Sequence, residues 1–262
     1  MEKPIHELFA ELTDEANAFV GFDENIEDYD FNDELVAYRS KRSFPDMILR
    51  DGAMIEVKDS KSSTVTSFNS TYPSGEKSVV DLEKTSGQTK RSMREYLLEA
   101  EDNPDFTEKR DVYYLVRTNR NDDPTVSFVH GSYFGDSESS AIAETIGDVL
   151  KEIRPDVDED RYDDLLDIID GEEYVRNHFS RTRKTSTGVK IRYRIMYEVD
   201  NDLNPNEHPE VPSNALSLIF PADGYESSKE LGSEIDADVE TKRITHGKPD
   251  RQDGFYVAVS RP

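Results

Sequence analysis

The chain of 262 residues contains no cysteine and no tryptophan. Without cysteine there is no disulfide framework, no thiolate metal site and no thiol nucleophile. No apolar run approaches the ~20 residues that a membrane-spanning helix needs. The opening stretch, MEKPIHELFAELTDE, lacks the basic-then-apolar pattern of a secretory signal, so a cytoplasmic protein without a membrane partner is expected. Histidine is scarce, and His6, His130, His178, His208 and His246 show no paired metal-ligand spacing. No G-x-S-x-G string occurs. Positive charge is also short: 32 Lys plus Arg stand against 57 Asp plus Glu, a formal charge of −25. Such a surface repels itself at low ionic strength and is relieved as the screening length falls to ~3 Å near 1 M salt. The composition therefore suits a cell that keeps molar salt in its cytoplasm.

What is present is enough for a core. The 12 Phe and 13 Tyr, with many Ile, Leu and Val, argue against disorder although hydrophobic residues make up only 34%. IHELFAELTDEANAFV sets Ile5, Leu8, Phe9, Leu12, Ala16 and Phe19 on one helical stripe. An acidic loop and an extended segment, ELVAYRSKRSF, follow. Further helices are expected over 86–101, 138–153 and 161–170, and strands over 111–118, 125–134, 187–199, 214–220 and 254–260. There is no internal repeat and no long linker. The expected class is α/β (α+β), a mixed central sheet flanked by helices in a single domain over 1–262. Residues 1–135 form its core and 136–262 a strand-rich elaboration.

The stretch FPDMILRDGAMIEVKDSK, residues 44–61, reads as a β-hairpin. A three-residue loop, Arg50-Asp51-Gly52, with Gly52 at positive φ, sets Leu49 against Ala53, Met47 against Ile55 and Asp46 against Glu56. One face is then apolar: Met47, Leu49, Ala53, Ile55 and Val57. The other gathers Asp46, Glu56 and Lys58, with Ile48 and Met54 nearer the turn. A two-residue turn would scatter apolar and charged residues over both faces. Two opposed carboxylates are unfavourable unless a cation lies between them. Carboxylate oxygens completed by water suit Mg²⁺, which activates water and polarises phosphodiesters. A lysine on the same face can orient that water and offset charge on a phosphorane.

Pro45-Asp46, nine intervening residues, then Glu56-Val57-Lys58 resembles the signature of PD-(D/E)xK nucleases. The string Ser67-Phe68-Asn69-Ser70-Thr71-Tyr72-Pro73 is similar to one that follows this motif in some type II restriction endonucleases. The resemblance covers about residues 5–135 and implies a restriction-endonuclease-like catalytic core. It implies that Asp46, Glu56 and Lys58 are catalytic, with Asp46, Glu56 and the Val57 carbonyl as Mg²⁺ ligands. Many members add an acid from the N-terminal helix, for which Glu7, Glu11 and Glu15 are all candidates. Implied as partners are double-stranded DNA, a second copy of the chain in a homodimer, and a companion DNA methyltransferase acting on the same site. Exonuclease relatives often carry Gln-x-x-x-Tyr after the motif; here Gln88 is followed at that spacing by Ser92.

Basic residues are segregated. Residues 175–197 hold Arg176, Arg181, Arg183, Lys184, Lys190, Arg192 and Arg194 without one Asp or Glu. Residues 84–94 include Lys90 and Arg91 and again no acid, and Lys242-Arg243 with Lys248 forms a third patch. These read as local phosphate-binding surface. Arg181, Arg183, Arg192 and Arg194 suit guanine, Asn69 suits adenine, and Lys61 lies just past the hairpin. The bland alternative is a strand whose arginines pair with neighbouring acids. Gly75-Glu76-Lys77-Ser78 resembles the end of a P-loop, but Lys does not directly follow Gly and residue 70 is Ser. Asp156-x-Asp158-x-Asp160 begins like a calcium loop, but Arg161 stands where glycine is required. The function expected is Mg²⁺-dependent, site-specific endonucleolytic cleavage of DNA of the type II restriction kind. Its rivals are another nuclease of this superfamily (repair, resolvase or exonuclease) and a non-catalytic nucleic-acid-binding domain.

Overall fold

The structure is a computed structural model that describes residues 9–13, 20–31, 35–40, 44–50, 52–65, 67–68, 73–78, 109–119, 121–135, 197–200, 203–221, 240–244 and 255–260, and the backbone of 183–185 and 190–192. The chain forms two compact units, one of residues 1–66, 74–134 and 199–262, the other of 67–73 and 135–198.

The first unit is an open mixed sheet, broadly of the α/β type. Its strands are β1 (Val36–Arg39), β2 (Met47–Leu49), β3 (Met54–Asp59), β4 (Glu76–Lys77), β5 (Arg110–Thr118), β6 (Thr125–His130), β9 (Leu216–Pro221), β10 (Glu240–Ile244) and β11 (Phe255–Ser260). The order is β1-β2-β3-β5-β6-β9-β11-β10, with β4 pairing β5 off this path. β3 runs parallel to β5 and β6 parallel to β9; the other pairings are antiparallel. Parallel neighbours need a long crossover. The helix expected in the first crossover, 86–101, lies outside the described residues, as do those at 138–153 and 161–170.

Alternation sorts the side chains. Met47, Leu49, Ala53, Ile55 and Val57 join Tyr113, Leu115, Val126, Phe128, Leu216, Leu218 and Phe220 in one buried cluster on one face of the sheet. Phe9 and Leu12, from the expected N-terminal helical stripe, pack into it, and residues 9–13 are helical. Each such side chain contributes roughly 1.5–3 kcal/mol when fully buried. The acidic loop is fastened to the same sheet. Arg117, wholly buried, donates from Nε and Nη2 to the two oxygens of Asp59 at 3.0 and 2.8 Å. Its guanidinium also reaches the carbonyls of Phe22 and Glu24, and the Ile26 amide donates to Asp59 at 2.9 Å.

The aromatic residues of 111–134 are core: Tyr113, Tyr114, Phe128, Tyr133 and Phe134 are all buried. Burial pushes the Tyr133 phenol up from 10.0 to about 12. The strand expected over 125–134 ends at His130 and gives way to a 3-10 turn, Gly131–Tyr133. At the turn another segment approaches closely, since a Cβ on Gly131 would lie 1.9 Å from the Ser74 carbonyl oxygen. β4 and β10 were not foreseen.

In the second unit, β7 (Arg183–Thr185) and β8 (Lys190–Arg192) form a two-stranded antiparallel ribbon with Arg183 opposite Arg192. Within the expected strand 187–199, the described strand is Lys190–Arg192, and Glu198 makes an isolated bridge to Ser67.

Candidate active site

The hairpin closes as its residues require. Leu49 donates its amide to the Ala53 carbonyl at 2.9 Å, Gly52 donates to Leu49 at 2.9 Å, and Gly52 sits at φ +98. The register is Met47 to Ile55 and Ile48 to Met54, which places Asp46 opposite Glu56. Beyond the last ladder pair, the Asp46 carboxylate accepts the Val57 amide N–H at 2.8 Å. That bond turns Asp46 toward the backbone between Glu56 and Lys58.

Glu56 and Lys58 stand two residues apart on one face, and Lys58 Nζ lies 2.7 Å from Glu56 Oε1. Both are nearly enclosed, at 8% and 7% exposure. Their register partners on β5 are Tyr114 and Val116, buried side chains that keep water from that flank. The second carboxylate oxygen, Glu56 Oε2, is buried and has no hydrogen-bond partner among the described residues. An unsatisfied buried polar atom costs roughly 1–3 kcal/mol, more when charged. A hard cation satisfies such an oxygen, so the donor set fits Mg²⁺. Among the described residues no group of three or more His, Asp and Glu side chains is placed to hold a metal ion. Glu11 is half-buried and forms no such group with Asp46 and Glu56. Glu7 and Glu15 lie outside the described residues.

The expected DNA contacts are spread through the chain. Lys61 is exposed in the bend after β3. Arg183 and Lys184 fall on β7, and Lys190 and Arg192 on β8, with Arg183 opposite Arg192 and Lys184 opposite Ile191. Asn69, Lys90, Arg91, Arg181 and Arg194 lie outside the described residues. Lys242 and Arg243 are exposed on β10, and Lys242 lies 3.2 Å from Glu210, so an acid draws on that patch.

Further buried cations were passed over in the sequence, Arg117 among them. Lys77, dismissed with the P-loop-like string, and Arg110, at the first position of β5, are 6% and 5% exposed and stand opposite each other. Their signal was faint, because burial of a basic residue at a strand end has no periodic signature. Comparison with family models, curated proteins and solved structures finds no match to this chain.

Proposed function

We propose that the protein is a Mg²⁺-dependent DNA endonuclease with a restriction-endonuclease-like core, cutting both strands at a short palindromic site as a homodimer in the cytoplasm. The observation that carries this reading is the buried, unpartnered Oε2 of Glu56 beside Lys58, on a hairpin whose Asp46 is opposed to it. Asp46, Glu56 and the Val57 carbonyl would hold Mg²⁺, which when bound supplies Lewis acidity toward a phosphodiester and acidifies water. Lys58, steadied by Glu56 Oε1, orients the attacking water and offsets negative charge growing on the phosphorane. The attacking water gives up a proton to solvent as its oxygen bonds to phosphorus, the opposite P–O bond breaks, and the departing oxygen takes up a proton from solvent.

DNA would be gripped by Lys61, Asn69, Lys90, Arg91 and the ribbon residues Arg181, Arg183, Lys184, Lys190, Arg192 and Arg194. A methyltransferase modifying the same sequence would protect the host. Bacteriophage DNA incubated with the protein and Mg²⁺ across a salt series tests the reading. Discrete fragments are expected from the wild type. None are expected from Asp46→Ala or Lys58→Ala, which should still retard DNA in a gel. A smear in place of discrete fragments would point to a less specific nuclease. Equal cutting by the variants, or none by the wild type at any salt, would sink the proposal.

A further inference from the structure

The second compact unit, residues 67–73 and 135–198, divides its charge by position. Acidic residues crowd 136–173, whereas 175–197 hold none. The acid-free stretch contains the whole of the ribbon formed by β7 (Arg183–Thr185) and β8 (Lys190–Arg192). Its far end is tied into the same unit: the Phe68 amide donates to the Tyr197 carbonyl at 2.9 Å, and Ser67 bridges Glu198. The register sets Arg183 against Arg192, Lys184 against Ile191 and Thr185 against Lys190. Alternation then assigns Arg183, Arg192 and Lys190 to one face of the ribbon, while the other carries Lys184 opposite Ile191. Like charges directly opposite each other destabilise a strand pair. An anion from outside the chain offsets that cost.

We propose that the β7–β8 ribbon enters the major groove of duplex DNA, with Arg183 and Arg192, opposite each other in register, reading guanines of neighbouring base pairs. The choice of duplex DNA as partner rests on the nuclease reading. Of the four arginines that suit guanine by type, the register selects these two; Arg181 and Arg194 lie outside the described residues. A two-stranded ribbon fits a major groove ~12 Å wide, since its strands are only about 4.8 Å apart. Directly opposed residues have Cα atoms roughly 4.5–5.5 Å apart, near the ~3.4 Å step between base pairs. One register pair therefore addresses two adjacent steps, each arginine offering a fork to guanine O6 and N7. Lys190 stands two residues from Arg192 on the same face, about 6.7 Å along the strand, in reach of a flanking phosphate. Phosphate contacts alone serve poorly in molar salt, because each weakens with a slope of about −0.9. Base-edge contacts displace no condensed counterions, so selectivity read by the ribbon survives salt that removes nonspecific binding.

The test selects duplexes bound by the full chain from a randomised pool in EDTA, so that binding is read without cleavage. Methylation interference with dimethyl sulfate then maps the selected site. Methylation of neighbouring guanines at N7, in the major groove, should block binding of the wild type. Arg183→Gln and Arg192→Gln should each lose about tenfold or more in preference for the selected site over a scrambled duplex. The slope of log affinity against log KCl should barely change. Should either variant fail to fold, the interference pattern of the wild type decides. Three results overturn the ribbon as a reader: no sequence enriched from the pool, interference confined to adenine N3 in the minor groove, or undiminished preference in both variants. Equal loss on both duplexes with a slope shallower by about 0.9 marks a phosphate contact and overturns it too. Preference lost in the variants, with phage DNA left uncut by the wild type and Mg²⁺, upholds the ribbon and overturns the nuclease reading. Discrete cutting with preference unchanged does the reverse.

Discussion

Gly52 is fixed by two independent constraints. Its φ of +98 lies where side chains with a Cβ are strained, and the Arg110 guanidinium occupies the space a Cβ would need. Replacement by alanine must both strain the turn and displace Arg110. Gly52→Ala is expected to cost about 2 kcal/mol or more by urea unfolding, from strain together with the displaced cation. A loss below ~0.5 kcal/mol would mean that the turn relaxes freely. At the same scale, Asp46 accepts the Val57 backbone N–H, whereas Glu56 gives one oxygen to Lys58 and its other oxygen has no hydrogen-bond partner among the described residues.

At the scale of elements, β3 carries the site on one face and its anchor on the other. Asp59 follows Lys58 directly and points the opposite way, into the pair with Arg117. With side-chain exposures of 0% and 3%, this pair is buried. Removing one partner leaves a buried charge, which typically costs about 3–5 kcal/mol. Arg117→Met is expected to destabilise the protein on that scale, and Arg117→Met with Asp59→Leu to recover most of the loss. Equal destabilisation by the single and double variants would show that the carbonyls of Phe22 and Glu24, not Asp59, set the value of Arg117. The hairpin was legible because alternation and one glycine leave a single register that segregates apolar from charged residues. The strands at 111–118, 214–220 and 254–260 were legible as short apolar runs and are found at Arg110–Thr118, Leu216–Pro221 and Phe255–Ser260. β10, with the sequence ETKRI, was not, because at a sheet edge its exposed Lys242 and Arg243 resemble a basic patch more than a strand. Arg117, near the end of the apolar run DVYYLVRT, was not singled out. Its partners, 58 to 95 residues away, have no local pattern.

Over the whole molecule the charge of −25 dominates. Self-repulsion acts over ~8 Å at 0.15 M salt and ~3 Å at 1 M, so the melting temperature should rise between those concentrations of KCl. A flat or falling curve would contradict this account of the acidity. Molar salt also weakens phosphate contacts, with a slope of about −0.9 in log affinity per contact.

The central claim is that Glu56 Oε2, opposite Asp46, seats a divalent cation. Calorimetric titration of Mg²⁺ into the wild type and into Glu56→Gln, without DNA, tests it most directly. The account predicts saturable binding to the wild type and affinity at least about tenfold weaker in the variant, the loss of one charged oxygen ligand. Equal affinity in both proteins would contradict it.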